Sequence, residues 1–570
     1  MKNPEVVKIL NEIALLLEMD NVQFKPRAYE KAARAIEALE ESVEEIYAKG
    51  GAKALMEIPG VGASIAEKIE ELIKTGKLHY YEDLKKKIPV DLESLYGIEG
   101  LGPKTIKTLY QQLGVRTIED LEKAASEHKI SKLPGFKEKT EQNILKGIEF
   151  AKKGKGRYIL GFTLPLIRDI ESRLRSLPGV TRAIASGSVR RWKETIGDAD
   201  FLVISDNPAK VMDFFTSMPE VIDVISKGDT KSTVKLKTGI DVDVRVLQEQ
   251  SFGAALQYFT GSKDHNVALR RIAQEKGMKL SEYGLFKDEK QVEGRTEEGI
   301  YETLGLQWMP PELRENTGEI EAAIDHKLPK LVDYDEIRGD TQTHTDWTDG
   351  ANSILEMAQE AHKLKREYIV ITDHSKGLAM TGGLDEEKLL KQGEEIDKVN
   401  DKLKGIKILK GVELNIQKDG SLDISDKLLE QLDVVGGAVH SNLNMDRDEM
   451  TKRVLKAIEN PNLDILFHPT EREIQKRDAV QLDIERLIEA AKDSRTVLDI
   501  DSYPDRLDLK DEYIRKAIRV GAKLGISSDA HSKIHLHYLQ LGIAQARRGW
   551  ATIKDIVNTT KVDQFLKSLK

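Results

Sequence analysis

The chain has 570 residues, with 88 Lys and Arg against 97 Asp and Glu for a formal net charge of −9, and no cysteine. That length calls for several domains, the missing cysteine excludes disulfides and thiolate metal sites, and no apolar run is long enough to cross a membrane as a helix. With no signal-peptide pattern at the start, these features fit a cytoplasmic setting, and the negative total does not exclude nucleic acid, because phosphate affinity follows local basic surface.

The first third carries a repeated pattern. Residues 55–69 read Leu-Met-Glu-Ile-Pro-Gly-Val-Gly-Ala-Ser-Ile-Ala-Glu-Lys-Ile, a helix-hairpin-helix with Gly60 and Gly62 in the tight turn. Residues 96–105 repeat it with Gly100 and Gly102, and residues 133–140 form a degenerate copy in which Lys137 replaces the second glycine. Free N–H groups at a glycine turn that opens a helix suit a backbone phosphate. The four glycines are therefore expected to bind DNA without reading its sequence.

Residues 187–200 come next: Gly-Ser-Val-Arg-Arg-Trp-Lys-Glu-Thr-Ile-Gly-Asp-Ala-Asp, flanked by Ala183-Ile-Ala185 and Phe201-Leu-Val-Ile204. The pattern predicts strand, loop or short helix, strand. Asp198 and Asp200 open the second strand and share one of its faces, so they can share a hard metal ion. Gly187 permits close backbone approach, and Ser188 and Arg191 can hold phosphate oxygens. Residues 233–247 alternate apolar and polar on both sides of Thr238-Gly239, a hairpin signature that puts Asp241, Asp243 and Arg245 on one face. Three carboxylates, two metals and a phosphate clamp are the parts of nucleotidyl transfer.

These motifs resemble the palm of family X DNA polymerases, the polymerase beta family, in Gly187, Ser188, Arg190, Arg191, Asp198, Asp200 and Asp243. The resemblance implies that Asp198 and Asp200 bind both metals, Mg²⁺ or Mn²⁺. It implies that Asp243 joins the catalytic metal and helps deprotonate the primer 3′-hydroxyl, while Asp241 stays a solvated strand residue. Tyr258-Phe259-Thr-Gly261 resembles the segment along the sugar of the incoming dNTP, and Asn266 falls at a minor-groove contact. In the same family a lysine eight residues after the first hairpin glycine forms a Schiff base with deoxyribose phosphate. That position is Lys68 here, with Lys25 and Tyr29 as supporting contacts.

After about residue 310 the chain reads as a linker. From about 337 onward, apolar strands alternate with amphipathic helices, the order of a βα barrel. Polar residues fall at successive strand ends: His344, Asp373-His374, Glu413, His440, His468 and Asp529-Ala-His531. Such ends carry the active sites of βα barrels, and repeated histidines there point to metal. The run resembles the PHP (polymerase and histidinol phosphatase) domain, a distorted seven-stranded barrel. The resemblance implies ligands His344, Asp349, His374, Glu413, His440, His468, Asp529 and His531, holding two to three Mn²⁺ or Zn²⁺ ions for phosphoester hydrolysis. Gln342 stands where a ninth ligand, a histidine, is usual, and Asp499-Ile-Asp501 replaces Glu-Ile-Asn. His535 and His537 lie outside the motif and read as surface residues, with lining of a substrate path as the alternative.

The expected fold is multidomain, α+β and α/β: a helical lyase-like unit at 1–85, a helix-hairpin-helix unit at 86–155, a nucleotidyltransferase palm at 156–250, a thumb at 251–315, a linker at 316–336 and the barrel at 337–570. The resemblance implies a monomeric repair polymerase that fills gaps in primer-template DNA. It implies a 3′–5′ exonuclease, with abasic-site endonuclease and deoxyribose phosphate lyase as further candidate activities. A nucleotidyltransferase with a non-DNA acceptor, and a DNA-binding scaffold with structural metals, are the alternatives.

Overall fold

The computed structural model describes residues 3–569, apart from 38, 40, 99, 100, 155, 379 and 380; Gly100 therefore lies outside the described residues. The helical first part begins with Asn3–Met19, Lys25–Glu37, Val43–Leu55 and Ala63–Thr75 and ends with Glu138–Gly154. Its apolar stripes close into one core running from Val6 to Ile148. Local signals set the helix ends. Ser42 with Glu45 and Thr117 with Asp120 form capping boxes, and Gly76 and Gly114 take left-handed C-caps.

The palm is a five-stranded sheet of β1 (Val180–Ala185), β2 (Asp198–Ser205), β3 (Val221–Lys227), β4 (Lys231–Leu236) and β5 (Asp241–Leu247), in the order β1-β2-β5-β4-β3. The expected short helix is Gly187–Arg190. β2 and β5 run parallel with Asp198 opposite Asp241 and Asp200 opposite Asp243. Val242, Val244 and Val246 are buried below the sheet, which turns Asp241, Asp243 and Arg245 to the other face.

Helices Phe252–Thr260 and Lys263–Glu275 follow, with a small antiparallel sheet and helix Glu297–Thr303, and they enclose a separate core around Leu269 and Tyr301. Helix Glu319–Ile324 packs on that core through Ile320 and Ala323.

The last part is a parallel barrel whose seven strands follow chain order: β6 (Gly339–Thr343), β7 (Tyr368–Ile371), β8 (Lys407–Asn415), β9 (Val434–Ala438), β10 (Ile465–Leu466), β11 (Val497–Asp501) and β12 (Leu524–Ser527). A bridge from Thr343 to Ala530 brings the first strand to the end of the last. Helices cover the outside, so nearly every strand residue is buried. Palm and barrel share apolar packing: Leu507 and Leu541 of the barrel join the palm core. Gly161 lies so close to Pro504 that a Cβ there would come within 2.6 Å of it.

Two candidate metal centres and a phosphate clamp

In the palm the structure brings Asp198, Asp200 and Asp243 together on the neighbouring strands β2 and β5. Asp198 is exposed, and Asp200 and Asp243 are half-buried. Burial, with the charges of Asp198 and Asp243 beside it, pushes the Asp200 carboxyl up to about 6. Mutual repulsion of this kind is what a divalent cation relieves, so the donor set fits hard metal ions. Lys231 lies 3.3 Å from Asp243, and Asp241 pairs with Lys235. Gly187, at φ 64°, makes this geometry feasible: a Cβ there would sit 3.0 Å from Asp200 Oδ2.

The clamp residues are held from several sides. Arg190 forms a two-pronged pair with Glu297 at 2.7 and 2.8 Å, and Arg314 joins the same buried carboxylate. Burial alone would push Glu297 up, but Arg314 and Arg190 hold it down to about 2. Arg191 bonds Glu315 at 3.1 Å and the carbonyl of Thr260. Ser188 is half-buried in the turn. Tyr258 and Phe259 meet edge to face at 5.1 Å, with Arg245 over the Phe259 ring at 4.5 Å. Asn266 is buried; it donates to the Tyr258 carbonyl at 2.7 Å and accepts from Gln257 at 2.8 Å, so in this state its amide is used internally. Gly261 follows at φ 71°, packed against Arg191.

In the barrel all eight expected ligands converge at the C-terminal strand ends, and Glu413 stands at their centre. Its Oε1 meets His440 Nε2 at 2.9 Å and His468 Nε2 at 2.8 Å; its Oε2 meets His344 Nε2 at 3.2 Å and His374 Nδ1 at 3.3 Å. Asp529 approaches His344 at 3.1 Å, and Asp349 lies 3.7 Å from His374 and 3.6 Å from His531. Three overlapping groups have donor atoms within 4.8 Å of one another: His344 with Asp349, His374 and His531; His374 with Glu413 and His440; and His344 with Glu413 and Asp529. Burial pushes Glu413 up, yet the surrounding histidines hold it well below the usual range. Buried ring nitrogens of His344, His374 and His440 have no hydrogen-bond partner, as metal ligands would. His468 and Asp529 also adopt positive φ, 27° and 49°, a conformation non-glycine residues avoid.

Gln342 spans the site instead of ligating like a histidine: its amide donates to Glu413 at 3.2 Å, and its oxygen accepts from Ser527 at 3.3 Å. Asp499 and Asp501 are buried beside it, with Asp499 bonded to Ser527 at 3.0 Å. Other groups stand behind the ligands. Glu471 holds His468 Nδ1 and is itself held by Arg477 and Arg506. An acid three residues after a ligand was the only cue. Asp373, beside ligand His374, ties down Thr345, Thr348 and Gln392. His537 is exposed, but His535 is buried and stacked on Tyr538, because the turn after His531 folds inward; the surface reading of His535 is corrected. A groove of about 850 Å³, lined by Lys139, Lys418, His440 and Asn442, opens beside the ligands.

In the helical part, Gly60 turns at φ 80°, and Gly62 and Gly102 begin helices with no side-chain cap, leaving N–H groups for a ligand. Lys68 is half-buried, bonded to Ser64 at 2.9 Å and set 4.8 Å over the Tyr80 ring, which stacks on Tyr29. Burial, and Lys25 nearby, lower its basicity.

Comparison with known proteins agrees with this layout. Family models match as a helix-hairpin-helix domain at 1–78, a SAM-like helix-hairpin-helix tandem at 92–149, the DNA polymerase beta thumb at 255–315 and the PHP domain at 340–537. The chain is 37% identical over 577 residues to the DNA polymerase/3′-5′ exonuclease PolX of Bacillus subtilis (strain 168), covering 100% of both. It is also 30% identical over 244 residues to a probable phosphatase of Thermoanaerobacter sp. (strain X514), covering 40% of this chain and 95% of that protein.

Proposed function

The chain belongs to the family X DNA polymerases that carry a PHP domain, a DNA polymerase joined to a 3′–5′ exonuclease, and we propose that it fills short gaps in DNA repair from Asp198, Asp200 and Asp243 and trims 3′ ends at the barrel cluster. Both activities depend on divalent metal ions, and the substrates are DNA and nucleotides. The observation that carries the assignment of the palm residues is the parallel register that sets Asp200 beside Asp243.

Asp198 and Asp200 would hold two ions, Mg²⁺ or Mn²⁺, and Asp243 the catalytic one. When bound, such ions stabilise charge on the entering and leaving oxygens of an in-line transfer. Asp243 would help take the proton of the primer hydroxyl. Ser188 and Arg191 would take the nucleotide phosphates, and Tyr258 and Phe259 would lie along its sugar. Gly60, Gly62 and Gly102 would rest on backbone phosphates, with Gly100 assigned from sequence alone.

In the barrel the eight ligands would hold two to three Mn²⁺ or Zn²⁺ ions, a nitrogen-rich set that suits these over Mg²⁺. Glu471 would fix the tautomer and orientation of His468. Abasic-site cleavage at the same cluster is a further reading. Deoxyribose phosphate lyase at Lys68 is another, favoured by its aromatic pocket and lowered basicity. We place the protein in the cytoplasm at the nucleoid, as a monomer. The test is incorporation of one dNTP into gapped DNA: Asp198→Ala should abolish it, and unchanged synthesis would refute the palm assignment.

A further inference from the structure

Arg548 ends helix Leu539–Arg548 on the barrel. The side chain is 3% exposed, and its Nη2 donates to Asp511 at 2.7 Å within the barrel. Its Nη1 crosses to the polymerase part, donating to the backbone carbonyl of Arg191 at 2.9 Å and to Glu315 Oε1 at 3.1 Å. That same Glu315 oxygen accepts from Arg191 Nε at 3.1 Å. The other end of the Arg191 guanidinium is bonded to the Thr260 carbonyl, and Gly261 lets it lie there, since a Cβ at that position would sit 3.0 Å from Nη1.

The arrangement has an electrostatic consequence. Burial disfavours the charge on Arg191; Glu315 opposes this in part, and Arg548 and Arg314 nearby add to the lowering. Glu315 is held below the usual carboxylate range against its burial by Arg191, Arg548 and Lys193 together. One carboxylate shared between two guanidinium groups leaves Arg191 only partly neutralised, so positive charge remains for an anion. Without Arg548 the carboxylate would be left to Arg191 and to the more distant Lys193, 3.8 Å away, so it would neutralise Arg191 more fully, and the Arg191 carbonyl would lose a donor. Charge and position would both shift, through side chains that are mostly buried and therefore only partly screened.

We infer that Arg548 is a positioning residue for nucleotide incorporation: the barrel reaches into the palm and sets Arg191 for the phosphates of the incoming nucleotide. The inference rests on the reading of Arg191 as a phosphate holder. It makes the barrel part of the polymerase site, independently of the barrel's own hydrolysis.

The test is steady-state incorporation on gapped DNA by the full-length protein. Arg548→Met keeps most of the volume and removes the charge; it should raise KM for dNTP about tenfold with kcat changed less than about twofold, the scale of one charge-assisted hydrogen bond. On an Arg191→Ala background the same substitution should change nothing further, because its effect passes through Arg191. An unchanged KM in Arg548→Met, or an equal rise on both backgrounds, would overturn the inference. If Arg548→Met does not fold by circular dichroism, Arg548→Lys carries the same cycle, since an ammonium cannot hold all three acceptors in the guanidinium's geometry. A normal KM in Arg191→Ala alone would instead remove the reading of Arg191 on which the inference stands.

Discussion

The palm and the barrel both gather carboxylates for metal ions, but they do so in opposite ways. The palm offers three carboxylates, one exposed and two half-buried, and no nitrogen ligand. The barrel offers a cage of histidines and acids in which His344, Glu413 and His468 are almost wholly buried. The palm set leaves room that substrate phosphates must complete, which suits ions that arrive with a nucleotide. The barrel set is nearly complete before substrate comes, and it has its own supporting layer in Glu471, Asp373 and Gln342. On the proposed function, one chain would carry a site completed by its substrate and a site completed by the fold.

Substitutions can break that comparison, the strongest first. Asp200→Ala should lower incorporation at least about a thousandfold, since it removes a ligand shared by both palm ions, while digestion of a single-stranded 3′ end proceeds at the parental rate. Loss of both activities in a folded variant would show that the sites are not separate. Next, His468→Ala should cut exonuclease by about a hundredfold or more and leave gap filling intact, measured on one preparation with a labelled primer. Metal content by mass spectrometry should fall in this variant and stay constant in Asp200→Ala.

Glu471→Gln tests the supporting layer. The amide can still bond His468 but no longer stabilises charge on it, so metal affinity should fall by about ten- to a hundredfold. A chelator titration followed by activity would read this as an earlier loss of exonuclease, with synthesis unaffected once Mg²⁺ is restored. An unshifted titration would leave Glu471 a packing residue.

The smallest effect concerns stability rather than chemistry. Glu297 is buried between Arg190 and Arg314, and its folded pKa of about 2 lies below the ordinary 4.5. A depressed carboxylate contributes stability that is present above its unfolded pKa and lost as pH falls toward the folded one. The palm–thumb unit should therefore lose on the order of 3 kcal/mol between pH 4.5 and 2 from this group. Denaturation of a variant that keeps Trp308 as its one tryptophan, followed by fluorescence, should show that loss, and Glu297→Gln on the same background, less stable at neutral pH, should show a shallower slope through the same window.

Much of the fold was legible because local chemistry sets it. Alternation around Thr238-Gly239 placed Asp243 on the open face of β5, and histidines at strand ends could only meet at one mouth once the strands ran parallel. Glycine hairpins in the first third were equally plain, because a turn at φ 80° such as Gly60 admits little else.

The sequence by itself determined which residues could carry chemistry and on which faces they lie, since strand and helix periods are local properties of the chain. Only the tertiary structure decided that Glu413, rather than any histidine, is the hub of the barrel cluster, that His535 is buried, and that Arg191 and Arg548 share Glu315 while Arg190 pairs with Glu297. Those pairings join positions as far apart as Arg191 and Arg548, 357 residues, and no periodicity spans such a distance. They follow from how the barrel packs on the palm, which is settled by the shape of buried surfaces and not by any short stretch of residues.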